Sequence, residues 1–93
     1  MVDSESSLSE LIGRQVVLDT AGTVTYLGTL TEVCPDGFWL ENADFRDRVE
    51  GTVTKERYVC EARERGFRPN RDRIFVFRHV VVSISALDDV VEA

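Results

Sequence analysis

The 93-residue sequence has little cysteine and histidine, and this shortage excludes several classes of site. It contains two cysteines, Cys34 and Cys60, and one histidine, His79. Two thiols do not make the disulfide framework of a small secreted domain. So few sulfur and imidazole groups also argue against a dedicated zinc site. We therefore expect free cysteines, no metal site and no cofactor.

Long apolar runs are missing as well. No segment approaches the roughly 18–20 consecutive apolar residues that a membrane-spanning helix needs. The first ten residues, MVDSESSLSE, lack the basic and apolar regions of a signal peptide. These absences predict a cytoplasmic protein that makes no membrane contact.

Acidic residues outnumber basic ones, but unevenly. The formal net charge is −6, from 17 acidic and 11 basic side chains. Residues 1–50 carry a net charge of −7, whereas residues 51–93 carry +1. The overall acidity argues against a broad nucleic-acid footprint, which requires a basic domain. The arginine-rich second half still allows a smaller anion site.

No catalytic motif is present. No glycine-rich run precedes a helix, as a phosphate-binding loop would require. A thiol nucleophile would have to combine Cys34 or Cys60 with His79, and nothing in the flanking residues marks either thiol as activated. We therefore predict that the protein is not an enzyme.

The hydrophobic pattern predicts one mostly β domain over residues 1–93. A short helix is expected at 7–13, because Ser7 and Glu10 have capping-box spacing and Gly13 can end a helix. Alternating and β-branched residues predict five strands, at 15–20, 24–33, 38–43, 74–78 and 80–85. Residues 1–5 and 89–93 are expected to be disordered.

Within the second strand, Gly28 suggests a bend. The sequence Cys34-Pro35-Asp36-Gly37 predicts the turn that follows this strand.

An insert at 44–73 separates the third and fourth strands. Residues 44–50 are charged and are expected to form a loop, as is the segment 66–73 around Pro69-Asn70. Between them, the apolar spacing over 54–65, with Gly66 as a stop, favours a helix. A strand at 57–62 is the alternative.

Five short strands around a long, bent middle strand do not make a flat sheet with a useful core, but they can close on themselves. The expected fold is a five-stranded, strongly bent antiparallel barrel, with an N-terminal helix and an inserted helical segment.

Four segments carry a resemblance to a known family. They are LIGRQVVL at 11–18, YLGTLTEV at 26–33, FWLENA at 38–43 and IFVFRHVVVSI at 74–84. Together with the element order, they resemble the Sm-like (LSm) family of SH3-like barrels. The resemblance implies a ring, usually of six or seven subunits, and many members bind single-stranded RNA. The turn Cys34-Pro35-Asp36-Gly37 lacks the asparagine that RNA-binding members place there, and Arg78-His79 stands at the family's Arg-Gly corner.

Six arginines lie between residues 63 and 78, with phenylalanines interleaved. Aromatic rings beside guanidinium groups can hold unpaired bases. The candidate residues for RNA or anion binding are Arg78, His79, Arg68, Arg71 and Arg73. The competing interpretation is that these arginines pair with acidic groups of the same chain or of a neighbouring subunit.

The last strand carries no charge and no proline, so an open edge there would attract another strand. The predicted oligomer interface consists of Phe75, Phe77, Val80, Val82 and Ile84. The alternative is an interior strand, paired on both sides. We therefore predict an oligomeric Sm-like scaffold or interaction protein that forms a homo-oligomeric ring, with a single-stranded RNA-binding ring as the alternative.

Overall fold

The computed structural model describes residues 4–47 and 54–91, with side chains from Ser7 onward. Two helices and five strands follow one another in the order α1 (Ser4–Ser9), β1 (Gln15–Thr20), β2 (Val24–Cys34), β3 (Gly37–Asp47), α2 (Lys55–Arg65), β4 (Arg71–Phe77) and β5 (Val81–Ala86). Short 3₁₀ turns occupy Arg78–Val80 and Leu87–Asp89. None of the helices in the described ranges has the length and apolar character needed to cross a membrane.

The five strands form one antiparallel sheet in the order β4-β3-β2-β1-β5. The prediction of a mostly β, strongly bent, five-stranded fold is therefore confirmed. The prediction of a closed barrel is wrong, because β4 and β5 are not paired with each other. Among the described strands, β4 pairs with β3 alone and β5 pairs with β1 alone, so the sheet has two open edges.

The sheet bends where β2 crosses β3. The pairing register shifts between Leu27 and Thr29, and Gly28 lies inside this shift. A Cβ on Gly28 would stand 3.1 Å from the Ala43 Cβ, and the adjoining Asn42 has a positive φ of 49°. The close approach of the two backbones favours a glycine here, at the position where the sequence predicted a bend.

Both faces of the sheet are covered. We call the face that carries Val16 and Leu18 the inner face, and the face that carries Val17 and Leu27 the outer face. The inner-face core consists of Val16, Leu18, Leu30, Phe38, Leu40, Ala43 and Val76, with Leu8 and Leu11 packed against it. The outer-face core consists of Val17, Leu27, Tyr58, Val59, Ala62 and Leu87. Successive side chains of a strand point to opposite faces, so β1 contributes to both cores.

Helix α2 covers part of the outer face. Thr54 is its N-cap, and its side chain accepts a hydrogen bond of 3.1 Å from the Arg57 backbone N–H. Gly66 ends the helix with φ of 79°, a conformation that favours glycine. The predicted helix at 54–65 is confirmed, and the alternative of a strand at 57–62 is wrong, because Tyr58, Val59 and Ala62 bury one helical face.

The N-terminal helix begins earlier than expected. The structure places it at Ser4–Ser9 instead of 7–13, so Ser7 lies inside the helix and is not its cap. Gly13 donates a 2.7 Å hydrogen bond to the Leu30 carbonyl, which draws the chain into the sheet before the helix can continue. Residues 4 and 5, from the segment predicted to be disordered, belong to this helix, and residues 1–3 lie outside the described part.

Two charged segments are strands where loops were expected. Strand β3 continues through Asp47, because residues 44–47 pair with the start of β2. Strand β4 begins at Arg71 instead of 74, because Arg71 and Arg73 pair with Ala43 and Glu41. Residues 48–53 lie outside the described part, so the predicted loop is untested there.

The C-terminal boundaries also differ from expectation. Strand β4 ends at Phe77, and the corner predicted at Arg78-His79 is the first 3₁₀ turn. In the segment 89–93, which was predicted to be disordered, Asp89 ends the second 3₁₀ turn and Val90 packs against the outer-face core. Residues 92–93 are not described.

Candidate functional site

The open edge formed by β5 is the first candidate surface. Residues Val81–Ala86 pair with β1, from Thr20↔Val81 to Val16↔Ala86. The alternative of an interior strand is therefore wrong within the described residues. A register shift separates Val81 from Ser83, so Val82 sits at a bulge, and it is 64% exposed.

The second open edge is β4. Phe77 ends this strand and is 54% exposed, and Val80 follows it with 37% exposure. Two other predicted interface residues are already half-buried in the chain. Ile84 packs against the inner-face core, and Phe75 contacts the ring of Trp39. The exposed part of the predicted interface is therefore Phe77, Val80 and Val82.

Aromatic rings form a continuous strip on the outer face beside the β4 edge. The centroid distances are 5.0 Å from Trp39 to Phe75, 5.2 Å from Phe75 to Phe77 and 5.8 Å from Phe77 to His79. The Arg73 guanidinium lies 3.7 Å from the Trp39 ring centroid, at the far end of the strip. We call these five residues the aromatic strip. This cation–π contact holds the Arg73 guanidinium over the indole without an acidic partner among the described residues.

Arg78 holds the turn between β2 and β3. Its Nε donates to the Pro35 carbonyl at 3.1 Å, and its Nη2 donates to the Cys34 carbonyl at 2.9 Å. Its backbone N–H donates to the Asp36 carbonyl at 2.9 Å. A guanidinium has five N–H donors, so the remaining ones are available to a ligand beside this turn.

The structure does not bring the five predicted RNA-binding residues into one site. Arg78 and His79 lie after the end of β4, whereas Arg68 and Arg71 lie before or at its start. The seven residues of β4 span roughly 20 Å at about 3.3 Å per residue. Arg71 donates to the Asn70 carbonyl, and Arg68 lines a small cavity beside Tyr58.

The alternative of acidic partners within the chain is not seen for these arginines. Among the described residues, the ion pairs join Arg46 to Asp44, Lys55 to Asp19 and Arg57 to Glu61. None of Arg68, Arg71, Arg73 and Arg78 takes part in them. Arg71 and Arg78 contact carbonyl oxygens instead, and Arg73 contacts an aromatic ring.

A buried carboxylate was missed by the sequence reasoning. Asp44 is 1% exposed, and Arg46 Nε lies 3.0 Å from both of its oxygens. The Tyr58 hydroxyl donates to the same carboxylate. The hydrogen bond to Asp44 raises the pKa of Arg46, so its guanidinium stays charged. The period-two pattern of Ala43, Asp44 and Phe45 was the available signal, and the surrounding charges obscured it.

Neither cysteine has the environment of an activated nucleophile. Cys34 Sγ lies 3.5 Å from Glu32 Oε2, and partial burial together with this hydrogen bond raises the pKa of the Cys34 thiol. A nucleophilic thiol requires the opposite shift. Cys60 Sγ lies 3.9 Å from the Val91 carbonyl oxygen. Within residues 4–47 and 54–91, no group of three or more metal-ligating side chains comes together.

No protein-family model matches the chain, and no curated protein is significantly similar to it in sequence. Solved structures do resemble it. An Sm protein of Pyrococcus abyssii, in complex with a uridine heptamer, superposes with a TM-score of 0.62 and 12% identity, covering 91% of this chain and 99% of the other.

Chains of the NatC complex give two further matches. One, from the complex bound to CoA, has a TM-score of 0.56 and 15% identity, covering 92% of this chain and 86% of the other. Another, from the complex bound to Gag peptide and CoA, has a TM-score of 0.53 and 17% identity, covering 83% and 86%. At these identities the similarity establishes the fold alone. The fold is Sm-like.

Proposed function

We propose that the protein is a homo-oligomeric scaffold, in which the β4 edge of one subunit pairs with the β5 edge of the next. The observation that carries this proposal is the sheet order, which ends in two different strands, each with one open edge among the described residues. Unpaired strand edges present backbone N–H and C=O groups to any complementary strand. Pairing them across subunits would satisfy these groups.

The two edges differ, so the proposed contact is head-to-tail. A head-to-tail contact generates a ring when the rotation between subunits closes. Exposed apolar residues lie on both edges: Phe77 is the last residue of β4, and Val82 lies on β5. A 93-residue domain buries a modest share of its surface, and a second interface would add to its stability.

Native mass spectrometry of the purified protein tests the ring. We expect one dominant assembly, of about six or seven copies if the sequence resemblance extends to ring size. Light scattering at micromolar concentration should give the same mass. A monomer in both measurements would reject the proposal, and a dimer would reject the six- or seven-membered ring that the resemblance implies.

A second candidate function is binding of single-stranded RNA. Two observations favour it. Arg78 keeps free donors beside the turn between β2 and β3, and Arg73 and His79 form the two ends of the aromatic strip. Base stacking on aromatic rings beside arginines is a general way to bind unpaired strands. One of the solved Sm proteins that share the fold holds a uridine heptamer, which supports oligo-U as the first probe.

Fluorescence anisotropy with oligo-U and oligo-A tests this candidate. We expect binding at low salt that weakens as salt rises, because phosphate contacts release counterions. Arg78→Ala should weaken binding several-fold. Arg57→Ala is the matched control, since Arg57 is an exposed arginine paired with Glu61 on α2. Absence of binding at low salt, or equal losses in both variants, would remove the candidate.

A scaffold of this kind has no catalytic step. The raised pKa of the Cys34 thiol supports a non-enzymatic role, because it lowers the thiolate fraction. The cytoplasmic location stays a prediction from the sequence.

A further inference from the structure

A cavity of about 250 Å³ lies between α2 and the outer face of the sheet. Its floor comes from β1, β2 and β5, and its roof from the first turns of α2. Pockets that take drug-sized ligands measure roughly 300–1,000 Å³, so this one suits a smaller molecule. It is separate from the aromatic strip and from the turn that Arg78 holds, because none of those residues lines it.

The floor of the cavity is a row of oxygen-bearing side chains. Asp19 is the register partner of Thr25 on one side and of Ser83 on the other. Residues that are opposite one another in a sheet point to the same face, so these three side chains form one line across three strands. The next row on the same face contains Val17, which supplies an apolar surface beside them.

Thr25 is the unusual member of this row. It is 1% exposed, and its Oγ1 is shielded from solvent with no hydrogen-bond partner among the described residues. A buried hydroxyl without a partner is costly, and such groups are rare in folded proteins. A ligand group that hydrogen-bonds this hydroxyl would remove the cost.

Charges of both signs stand at the cavity. Lys55 Nζ donates to Asp19 Oδ1 at 2.7 Å and to the Thr20 carbonyl at 3.0 Å. An ammonium group has three donors, so one remains for a ligand. Glu56 also lines the cavity, and its carboxylate has no partner within residues 4–47 and 54–91. The free N–H donor of Lys55 therefore lies one residue along α2 from the unpaired carboxylate of Glu56.

We propose that this cavity binds a free α-amino acid with an aliphatic side chain. The ligand carboxylate accepts from Lys55, and its ammonium group pairs with Glu56. The aliphatic side chain of the ligand packs on Val17 of β1 and Val59 of α2. One hydrogen of the ligand's ammonium group donates to Thr25 Oγ1. A zwitterion suits the site because its carboxylate takes the Lys55 donor that Asp19 and the Thr20 carbonyl leave free, while its ammonium group pairs with Glu56. A singly charged ligand uses only one of these two contacts.

Leucine is the probe for a titration of the ¹⁵N-labelled protein, followed by amide chemical shifts. We expect saturable shifts confined to α2 and to the floor strands β1, β2 and β5, with a Kd on the order of 1 mM. Two analogues dissect the zwitterion: 4-methylpentanoate lacks the ammonium group, and isopentylamine lacks the carboxylate. Each should bind about tenfold more weakly, because one charge-assisted hydrogen bond is lost.

Thr25→Val separates ligand binding from a purely structural role. If the hydroxyl serves the ligand, this variant should bind leucine at least about fivefold more weakly. If the hydroxyl is simply an unsatisfied group, Thr25→Val will fold and bind as the unmodified protein does, which overturns the proposal. Thr29→Val is the matched control, because Thr29 lies on the same face of β2 but outside the cavity.

The absence of leucine-dependent shifts at about 20 mM would also overturn the proposal. So would equal binding of leucine and both analogues, since that outcome indicates a site for the apolar group alone. The amide shifts report the cavity independently of subunit number, so failure here and failure of the ring are distinguishable.

Discussion

The Tyr58 hydroxyl donates a hydrogen bond to the buried carboxylate of Asp44, and this contact joins α2 to β3. Arg46 contacts both oxygens of the same carboxylate at 3.0 Å. The charge of Asp44 is thus balanced by a guanidinium, and one oxygen is also held by a phenol. Lys55 at the start of α2 also contacts β1, through Asp19 and the Thr20 carbonyl, and the helix otherwise packs on the sheet through apolar side chains. The two polar contacts together fix which part of the outer face the helix covers.

Removing the phenol should loosen α2. Tyr58→Phe leaves one oxygen of Asp44 without its buried donor, and we expect it to lower the free energy of unfolding by about 1–3 kcal/mol. Urea denaturation measures the change. Tyr26→Phe is the control, because Tyr26 is half-buried against Phe45 and its hydroxyl has no partner among the described residues. Equal stability of the two variants would contradict a stabilising role for the contact.

Most of the strands could be predicted because their apolar residues alternate or are β-branched. Gln15–Thr20 was predicted with its observed bounds. The extensions of β3 and β4 could not be, because residues 44–47 and 71–73 are rich in charge and become strands only by pairing with partners far along the chain. Tertiary pairing overrides local propensity in such edge segments.

The candidate site was predicted less well than the fold. Sequence proximity grouped Arg68, Arg71 and Arg78, but β4 is extended and separates the first two from the third. The row formed by Thr25, Asp19 and Ser83 could not be read from the sequence, because it depends on the register of three strands. Open edges were anticipated for the last strand only, since nothing local distinguishes the edge strand β4 from an interior one.

Gly37 should tolerate no side chain. A Cβ at this position would overlap the Val76 carbonyl oxygen and stand 2.6 Å from the Phe75 ring. Because one of these atoms belongs to the backbone of the adjacent strand, we expect Gly37→Ala to cost at least about 2 kcal/mol of stability. Thermal or urea unfolding measures it.

The control for Gly37 is a glycine with open space. A Cβ at Gly22 would meet no atom within 4 Å, and its φ is not positive. Gly22→Ala should therefore change stability by no more than about 1 kcal/mol, and can raise it by restricting the unfolded chain. If both variants lose the same stability, the close packing of β3 against β4 at Gly37 does not explain the loss in Gly37→Ala.

Charges on the open edges should dissociate the proposed ring. Val82→Asp and Phe77→Asp each place a carboxylate at an exposed apolar position beside an edge strand. We expect each to shift the assembly toward monomer, because a carboxylate at the contact with the neighbouring subunit would block edge pairing. Val91→Asp is the matched control: Val91 is 79% exposed and lies on neither edge.

Light scattering measures the assembly mass of these variants, and circular dichroism measures whether they keep the β fold. The monomer should keep the β spectrum of the parent, since both substituted residues are more than half exposed and contribute little to either core. An unchanged mass for both edge variants would argue against pairing of β4 with β5. So would an equal loss of mass in Val91→Asp.

The thiol of Cys34 should react slowly with iodoacetamide. Partial burial, the hydrogen bond to Glu32 and the nearby carboxylates raise its pKa, and Arg73 opposes them. A higher pKa means less thiolate at a given pH, and the thiolate is the reacting species.

The alkylation rate of a Cys60→Ala variant should therefore rise with pH along a curve displaced to the alkaline side of a free thiol. Glu32→Gln removes a negative charge and replaces the carboxylate acceptor of the thiol with a weaker, neutral amide oxygen, so it should lower the pKa of Cys34 and speed alkylation a few-fold near neutral pH. Glu61→Gln, a substitution on α2 far along the chain, should leave the rate unchanged. If Glu32→Gln slows the reaction or has no effect, the carboxylate does not control the thiol, and the turn between β2 and β3 must shield Cys34 by packing alone.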